Sequence, residues 1–207
     1  STRTLLVPLL LVAASALSSS CGNPVIDAQI EALGGEQEGV EPSEHHRPGQ
    51  PCVLCHGPGG PSDLQLVIGG TIFADRSSLL PVENAEVVLY DAVGDVYRLT
   101  SNCIGNFYLE AGGQEPQFPL YAEVYCPLYD AMGAPLVNPD GSPQRKVKAM
   151  ASWIAEDGSC AGCHTLRGRQ LDSVGWIVCN EGDDNTPYPP IAESCPGKPP
   201  VTEGGGS

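Results

Sequence analysis

Two copies of one short motif carry the residues best suited to covalent chemistry. Each copy has two cysteines three positions apart and a histidine directly after the second: Cys52, Cys55 and His56, then Cys160, Cys163 and His164. In this spacing the two thiols form thioether bonds to the vinyl groups of one haem, and the histidine becomes the proximal ligand of its iron. The sequence therefore predicts two haem c groups, with His56 and His164 as proximal ligands.

The same thiols suit a second chemistry. Two Cys-x-x-Cys pairs also form four-thiolate zinc sites, or they close disulfides. A zinc cage has no need for a histidine after both pairs, which favours haem. Zinc or disulfides remain the alternative.

The sixth ligand of each iron has few candidates. The chain has four histidines, and the two outside the motifs are His45 and His46, a few residues before Cys52. Met150 lies ten residues before Cys160, and a methionine ligand raises the reduction potential of a haem. His45, His46 and Met150 are therefore the candidate distal ligands, although two linker histidines and a core methionine would give the same pattern.

The N-terminus resembles a bacterial lipoprotein signal peptide. Arg3 precedes an apolar run over 5–17 that is too short to span a bilayer, and three serines then lead to Cys21. This resemblance implies that residues 1–20 are a signal peptide, that Cys21 is lipidated, and that the lipid holds the protein on a membrane. The implied location is the periplasm or cell surface of a Gram-negative bacterium. A secretory signal cleaved near Ala16 is the alternative.

Four cysteines remain outside the two motifs and the lipidation position: Cys103, Cys126, Cys179 and Cys195. An even number in an exported protein indicates two disulfides. Cys103 with Cys126 and Cys179 with Cys195 are the favoured pairs, and the other pairings stay open.

Composition excludes one class of partner. The chain has 10 basic and 25 acidic side chains, a formal net charge of −15, which would repel a phosphate backbone. Nucleic acid is therefore not an expected partner. The 25 glycines, 20 prolines and 6% aromatic residues predict a loop-rich, mainly β protein.

The elements that position the motifs are predicted to be short strands. Residues 64–74 favour a strand with a bulge or a close backbone approach at Gly69 and Gly70, and residues 85–90 and 96–100 favour a hairpin. Further strands are expected over 105–109, 120–125 and 174–179, and a short strand or helix over 145–154. Short strands separated by turn residues indicate an antiparallel β-sandwich.

The strand region also resembles a known family. The matching segments are 70–72, 81–89, Gly94, Thr100 and 105–107, and they look like the carboxypeptidase regulatory-like domain. That resemblance covers about 65–125 and implies a transthyretin-like β-sandwich with an architectural role. No metalloprotease zinc motif accompanies it.

The predicted organisation joins these parts. It comprises a signal peptide (1–20), a flexible tether (21–50), a β-sandwich with two haem sites (51–179, core 64–126) and an irregular tail rich in proline and glycine (180–207). In arrangement the chain resembles secreted dihaem cytochrome lipoproteins, which implies an electron carrier with a redox protein partner and no enzymatic activity. A dihaem peroxidase, a gas sensor with an open iron position, and an adhesive surface lipoprotein whose motifs hold zinc or disulfides are the alternatives.

Overall fold

The structure is a computed structural model that describes residues 23–36, 38–164, 174–182 and 184–198. The predicted signal peptide and Cys21 lie outside these residues. The described helices are α1 (Pro24–Leu33), α2 (Cys52–His56) and α3 (Cys160–Cys163). The described strands are β1 (Leu66–Phe73), β2 (Glu86–Tyr90), β3 (Val96–Thr100), β4 (Asn106–Glu110), β5 (Tyr121–Pro127), β6 (Arg145–Ala149) and β7 (Ile177–Val178).

The strands form two sheets, so the protein is mainly β, as predicted. The order is β4-β1-β7 in the three-stranded sheet and β3-β2-β5-β6 in the four-stranded sheet. Every pair is antiparallel except β1 with β7, which is parallel. Strand β1 is continuous through both glycines, and its register shift lies earlier, between Leu66 and Ile68. The segment over 145–154 begins as a strand, and the last predicted strand is reduced to Ile177–Val178.

One hydrophobic core joins the two sheets. Ile68, Ile72 and Phe107 from the three-stranded sheet pack with Val87 and Leu89 from the four-stranded sheet, all at most 2% exposed. Period-two alternation produces this core, because successive strand residues point to opposite faces. The residues of β1 that point away from the core are therefore available to contact another part of the chain.

The segment 44–50 covers that second face. The Gly49 N–H donates to the Thr71 hydroxyl at 2.7 Å, and the Thr71 hydroxyl donates to Asn106 Oδ1 at 2.7 Å. Asn106 Nδ2 donates in turn to the main-chain oxygen of His46 at 2.9 Å. Part of the segment predicted to be a flexible tether is thus held against the sheet, immediately before the first motif.

The C-terminal segment contains no helix or strand from 184 to 198, but Asp184 binds Lys146 and Lys148 of β6. Disulfides join Cys103 to Cys195 and Cys126 to Cys179. The favoured pairing, Cys103 with Cys126 and Cys179 with Cys195, was wrong, although the four cysteines predicted to form disulfides do form them. That pairing joined cysteines near each other in sequence, whereas parallel pairing of β7 with β1 brings Cys179 to the core beside β5, which carries Cys126.

Candidate functional site

The first motif forms the short helix α2, which packs on β1. The contact is at Gly69, where an added Cβ atom would lie 2.7 Å from the Cβ of Cys52. A side chain at position 69 would therefore displace the motif. Of the two alternatives predicted for the glycine pair, a bulge or a close backbone approach, the structure shows a close approach at Gly69.

Both motif histidines are oriented in the same way. Nδ1 of His56 donates to the main-chain oxygen of Leu64 at 3.0 Å, and Nδ1 of His164 donates to that of Gly175 at 2.9 Å. Because a carbonyl oxygen only accepts, these contacts fix the tautomer and leave Nε2 of each ring to bind a metal. Metal-binding histidines usually have such a partner on the other ring nitrogen.

A cavity of about 670 Å³ opens beside the first motif. Ile30 and Leu33 of α1 form one wall, and Phe107 and Tyr108 of β4 form another. The motif itself and the preceding loop contribute His46, Arg47, Gln50, Cys52, Cys55 and His56. A largely apolar cavity with a few convergent polar groups is typical of a cofactor site.

His46 faces His56 across this cavity. The two ring centroids are 5.8 Å apart, and the rings are tilted by 51°. Two imidazoles that bind one metal ion from opposite sides have centroids roughly 6 Å apart, since each metal–nitrogen bond is about 2 Å long. Nδ1 of His46 is buried without a hydrogen-bond partner, 4.0 Å from a carboxylate oxygen of Glu36. Burial lowers the pKa of His46, while the Glu36 carboxylate opposes that shift.

His45 has different surroundings. Its Nε2 lies 3.8 Å from a carboxylate oxygen of Glu44, and Gly197 of the C-terminal segment packs against its main chain and Cβ. It is absent from the residues that line the cavity. The structure therefore brings one of the two adjacent histidines to the first motif.

The second motif forms α3 and also packs on β1. An added Cβ atom at Gly70 would lie 2.8 Å from the Cβ of Cys160. Burial lowers the pKa of His164, and its hydrogen bond to Gly175 opposes that shift. Met150 packs against the hydrophobic core and does not line the cavity at the first motif.

The motif thiols take no part in either disulfide. Burial raises the pKa of the Cys52 thiol to about 11 and that of Cys160 to about 12. Within the described part of the chain, no group of three or more His, Cys, Asp or Glu side chains is arranged to hold a metal ion by itself. The four thiols of the zinc alternative do not form such a group.

Several cavity residues were not singled out from the sequence. Arg47 donates from Nε to Glu36 at 2.6 Å and from a terminal nitrogen to the main-chain oxygen of Gly34 at 2.9 Å, which joins the loop before the motif to the end of α1. The Tyr108 hydroxyl donates to Glu44 at 3.0 Å. The sequence over 25–33 has a weak helical pattern, and this is the one signal that could have identified α1 as a wall of the site.

No protein family, curated protein or solved structure matches the chain. The described residues contain no helix long and apolar enough to cross a membrane.

Proposed function

We propose that the chain is an exported c-type cytochrome that carries two haem groups and transfers electrons. The observation that supports this most directly is the shared orientation of His56 and His164. Each follows a Cys-x-x-Cys pair and turns Nδ1 to a main-chain carbonyl, so that Nε2 remains for iron. A disulfide or a zinc cage made of thiolates would require neither histidine to be held in this way.

The residues of the first site fit a haem. Cys52 and Cys55 would form the thioether bonds, His56 would be the proximal ligand and His46 the sixth ligand. The ring of His46 lies 5.8 Å from that of His56 across the cavity, which supports this assignment. The apolar walls of the cavity would exclude water from the group.

The second site would use Cys160 and Cys163 for attachment and His164 as the proximal ligand. Bound haem supplies an iron that exchanges one electron, at a potential set by its axial ligands and its burial. The protein then needs no catalytic residue, only rigid placement of the two sites. We accordingly propose an electron carrier and no enzymatic activity.

The remaining assignments follow from this proposal. Two sheets around one core support the carboxypeptidase regulatory-like β-sandwich as the scaffold. Lipidation of Cys21 would hold the protein on a membrane facing the periplasm or the cell surface, where haem c is attached in bacteria. The partner would be a redox protein, and the net charge of −15 argues against nucleic acid.

The first experiment is to express the chain with a haem c maturation system and to measure its intact mass and pyridine haemochrome spectrum. We expect a mass gain of two haem groups. The double variants Cys52→Ala/Cys55→Ala and Cys160→Ala/Cys163→Ala should each retain one. Absence of covalent haem from the wild-type chain would refute the proposal and favour the adhesive lipoprotein.

A further inference from the structure

Two successive glycines of β1 are each in close contact with one of the two motifs. An added Cβ atom at Gly69 would lie 2.7 Å from the Cβ of Cys52, and one at Gly70 would lie 2.8 Å from the Cβ of Cys160. Contacts this short do not occur between real side chains, so neither position can carry a Cβ unless a motif cysteine moves. Glycine at both positions lets the two motifs approach the same point of one strand.

The main chain fixes the second motif at the same place. The Gly69 N–H donates to the main-chain oxygen of Gly158 at 3.0 Å, and Ser159 forms a parallel β-bridge with Gly69. An added Cβ at Gly158 would overlap the main-chain oxygen of Val67. Gly158 and Ser159, immediately before Cys160, are therefore held beside β1 by hydrogen bonding as well as by packing.

This geometry limits the separation of the two sites. Gly69 and Gly70 are consecutive, and consecutive Cα atoms are about 3.8 Å apart, so the Cβ atoms of Cys52 and Cys160 lie within roughly 12 Å of each other. Successive strand residues point to opposite faces, so the motifs approach β1 from its two sides. Only the strand and its neighbours separate them.

We propose that Gly69 and Gly70 are positioning residues that join the two haem sites into one coupled pair, so that electrons pass between the sites inside the chain. This inference rests on the proposed function, because it requires haem at both motifs. The two motifs are 108 positions apart in sequence, yet in this proposal their haem groups form one coupled pair. A rigid strand suits this task, since it holds both attachment points at a fixed separation.

The test compares the matured wild-type chain with the two variants that each keep one motif, Cys52→Ala/Cys55→Ala and Cys160→Ala/Cys163→Ala. Intact mass first counts the haem groups in each protein. We expect the Soret circular dichroism of the wild type to show paired positive and negative lobes that the sum of the two single-site spectra lacks. If the wild type carries two haem groups and that sum reproduces its spectrum, the coupling is refuted while the proposed function stands. If the wild-type protein carries no haem, both the coupling and the proposed function are refuted.

A second set of variants tests the glycines themselves. Gly70→Ala should keep two haem groups but reduce the paired lobes, because the methyl group would push Cys160 away from the strand, as well as the Phe107 ring, which lies 2.8 Å from the same point. Gly113→Ala is the matched control, since an added Cβ there meets nothing within 4 Å. Equal lobes in Gly70→Ala, Gly113→Ala and wild type would overturn the positioning role. The single-site comparison leaves β1 unaltered, so it remains decisive if Gly70→Ala does not fold.

Discussion

Adjacent residues of one loop have very different surroundings in this protein. His46 lies 5.8 Å from the ring of His56 and lines the cavity, whereas His45 contacts Glu44 and the C-terminal segment. The main-chain oxygen of His46 accepts a hydrogen bond from Asn106, which fixes its position relative to β4. At this scale, a difference of one residue decides which of the two rings lies beside His56 at the first motif.

If haem is bound as proposed, the variant His46→Ala should keep both covalent haem groups but convert one centre from low-spin to high-spin, because the proposed sixth ligand would be lost. His45→Ala, the matched control, should leave both centres low-spin. Electron paramagnetic resonance of the oxidised protein distinguishes the two states. An unchanged low-spin spectrum in His46→Ala would show that another residue is the ligand, and Met150→Leu would then be the next variant to examine.

The pKa of the Asp75 carboxylate is shifted mainly by hydrogen bonds. Its oxygens accept from the hydroxyls and main-chain N–H groups of Ser77 and Ser78, at 2.6–2.8 Å, and these bonds hold the pKa of Asp75 well below its ordinary value of 3.8. A pKa lowered by folding stabilises the protein above the unfolded value, and the stabilisation disappears as pH falls through the folded value.

We therefore expect Asp75→Asn to unfold more easily than wild type at neutral pH, and the difference to shrink as pH falls below about 4. The effect should be about 1 kcal/mol or less, because the carboxylate is partly exposed to solvent. Urea denaturation at several pH values measures it. A difference that stays constant down to pH values of about 2 would contradict this linkage.

At the scale of elements, two buried side chains, Thr71 and Asn106, help to hold the segment 44–50 against the sheet. Thr71 accepts from Gly49 and donates to Asn106, and Asn106 in turn holds the main chain of His46. Thr71 and Asn106 are 5% and 7% exposed, so their hydrogen bonds have no solvent to replace them. The position of the proposed sixth ligand thus depends on the sheet below it.

Thr71→Val keeps the shape of the side chain but leaves the buried Gly49 N–H and Asn106 Oδ1 without this partner. An unsatisfied buried polar group costs about 1–3 kcal/mol, and we expect a loss of that size in the free energy of unfolding. Thr100→Val is the control, because Thr100 is an exposed residue of β3. Equal stability of both variants in chemical denaturation would show that the pair does not hold the loop.

Local signals predicted most of these elements. Local patterns of apolar and turn residues predicted β1 to β5. Two glycines inside a strand indicated either a bulge or a close approach, and the structure shows a close approach of Cys52 and Cys160. The sequence could not show that α1 forms a wall of the cavity, because a helical pattern does not show which part of the chain the helix packs against. The choice between His45 and His46 likewise depends on Asn106, about 60 residues away in sequence.

At the scale of the whole molecule, the irregular C-terminal segment holds distant parts together. Its disulfide from Cys195 to Cys103 spans 92 residues, and its Asp184 binds Lys146 and Lys148 of β6. Sequence proximity suggested shorter disulfides, but the order of strands in a sheet is set by long-range pairing that no local pattern shows. The segment therefore has a structural role although it contains no helix or strand between 184 and 198.

The disulfide between Cys103 and Cys195 gives the clearest test of this arrangement. Removing it in Cys103→Ser/Cys195→Ser should lower the free energy of unfolding by about 2–5 kcal/mol, because a cross-link across a long loop restricts the unfolded chain. The second disulfide, and both haem sites, should remain. Peptide mapping without reduction identifies the pairs directly in wild type. A peptide that joins Cys103 to Cys126 would contradict the long-range pairing. The C-terminal segment would then not be linked to Cys103.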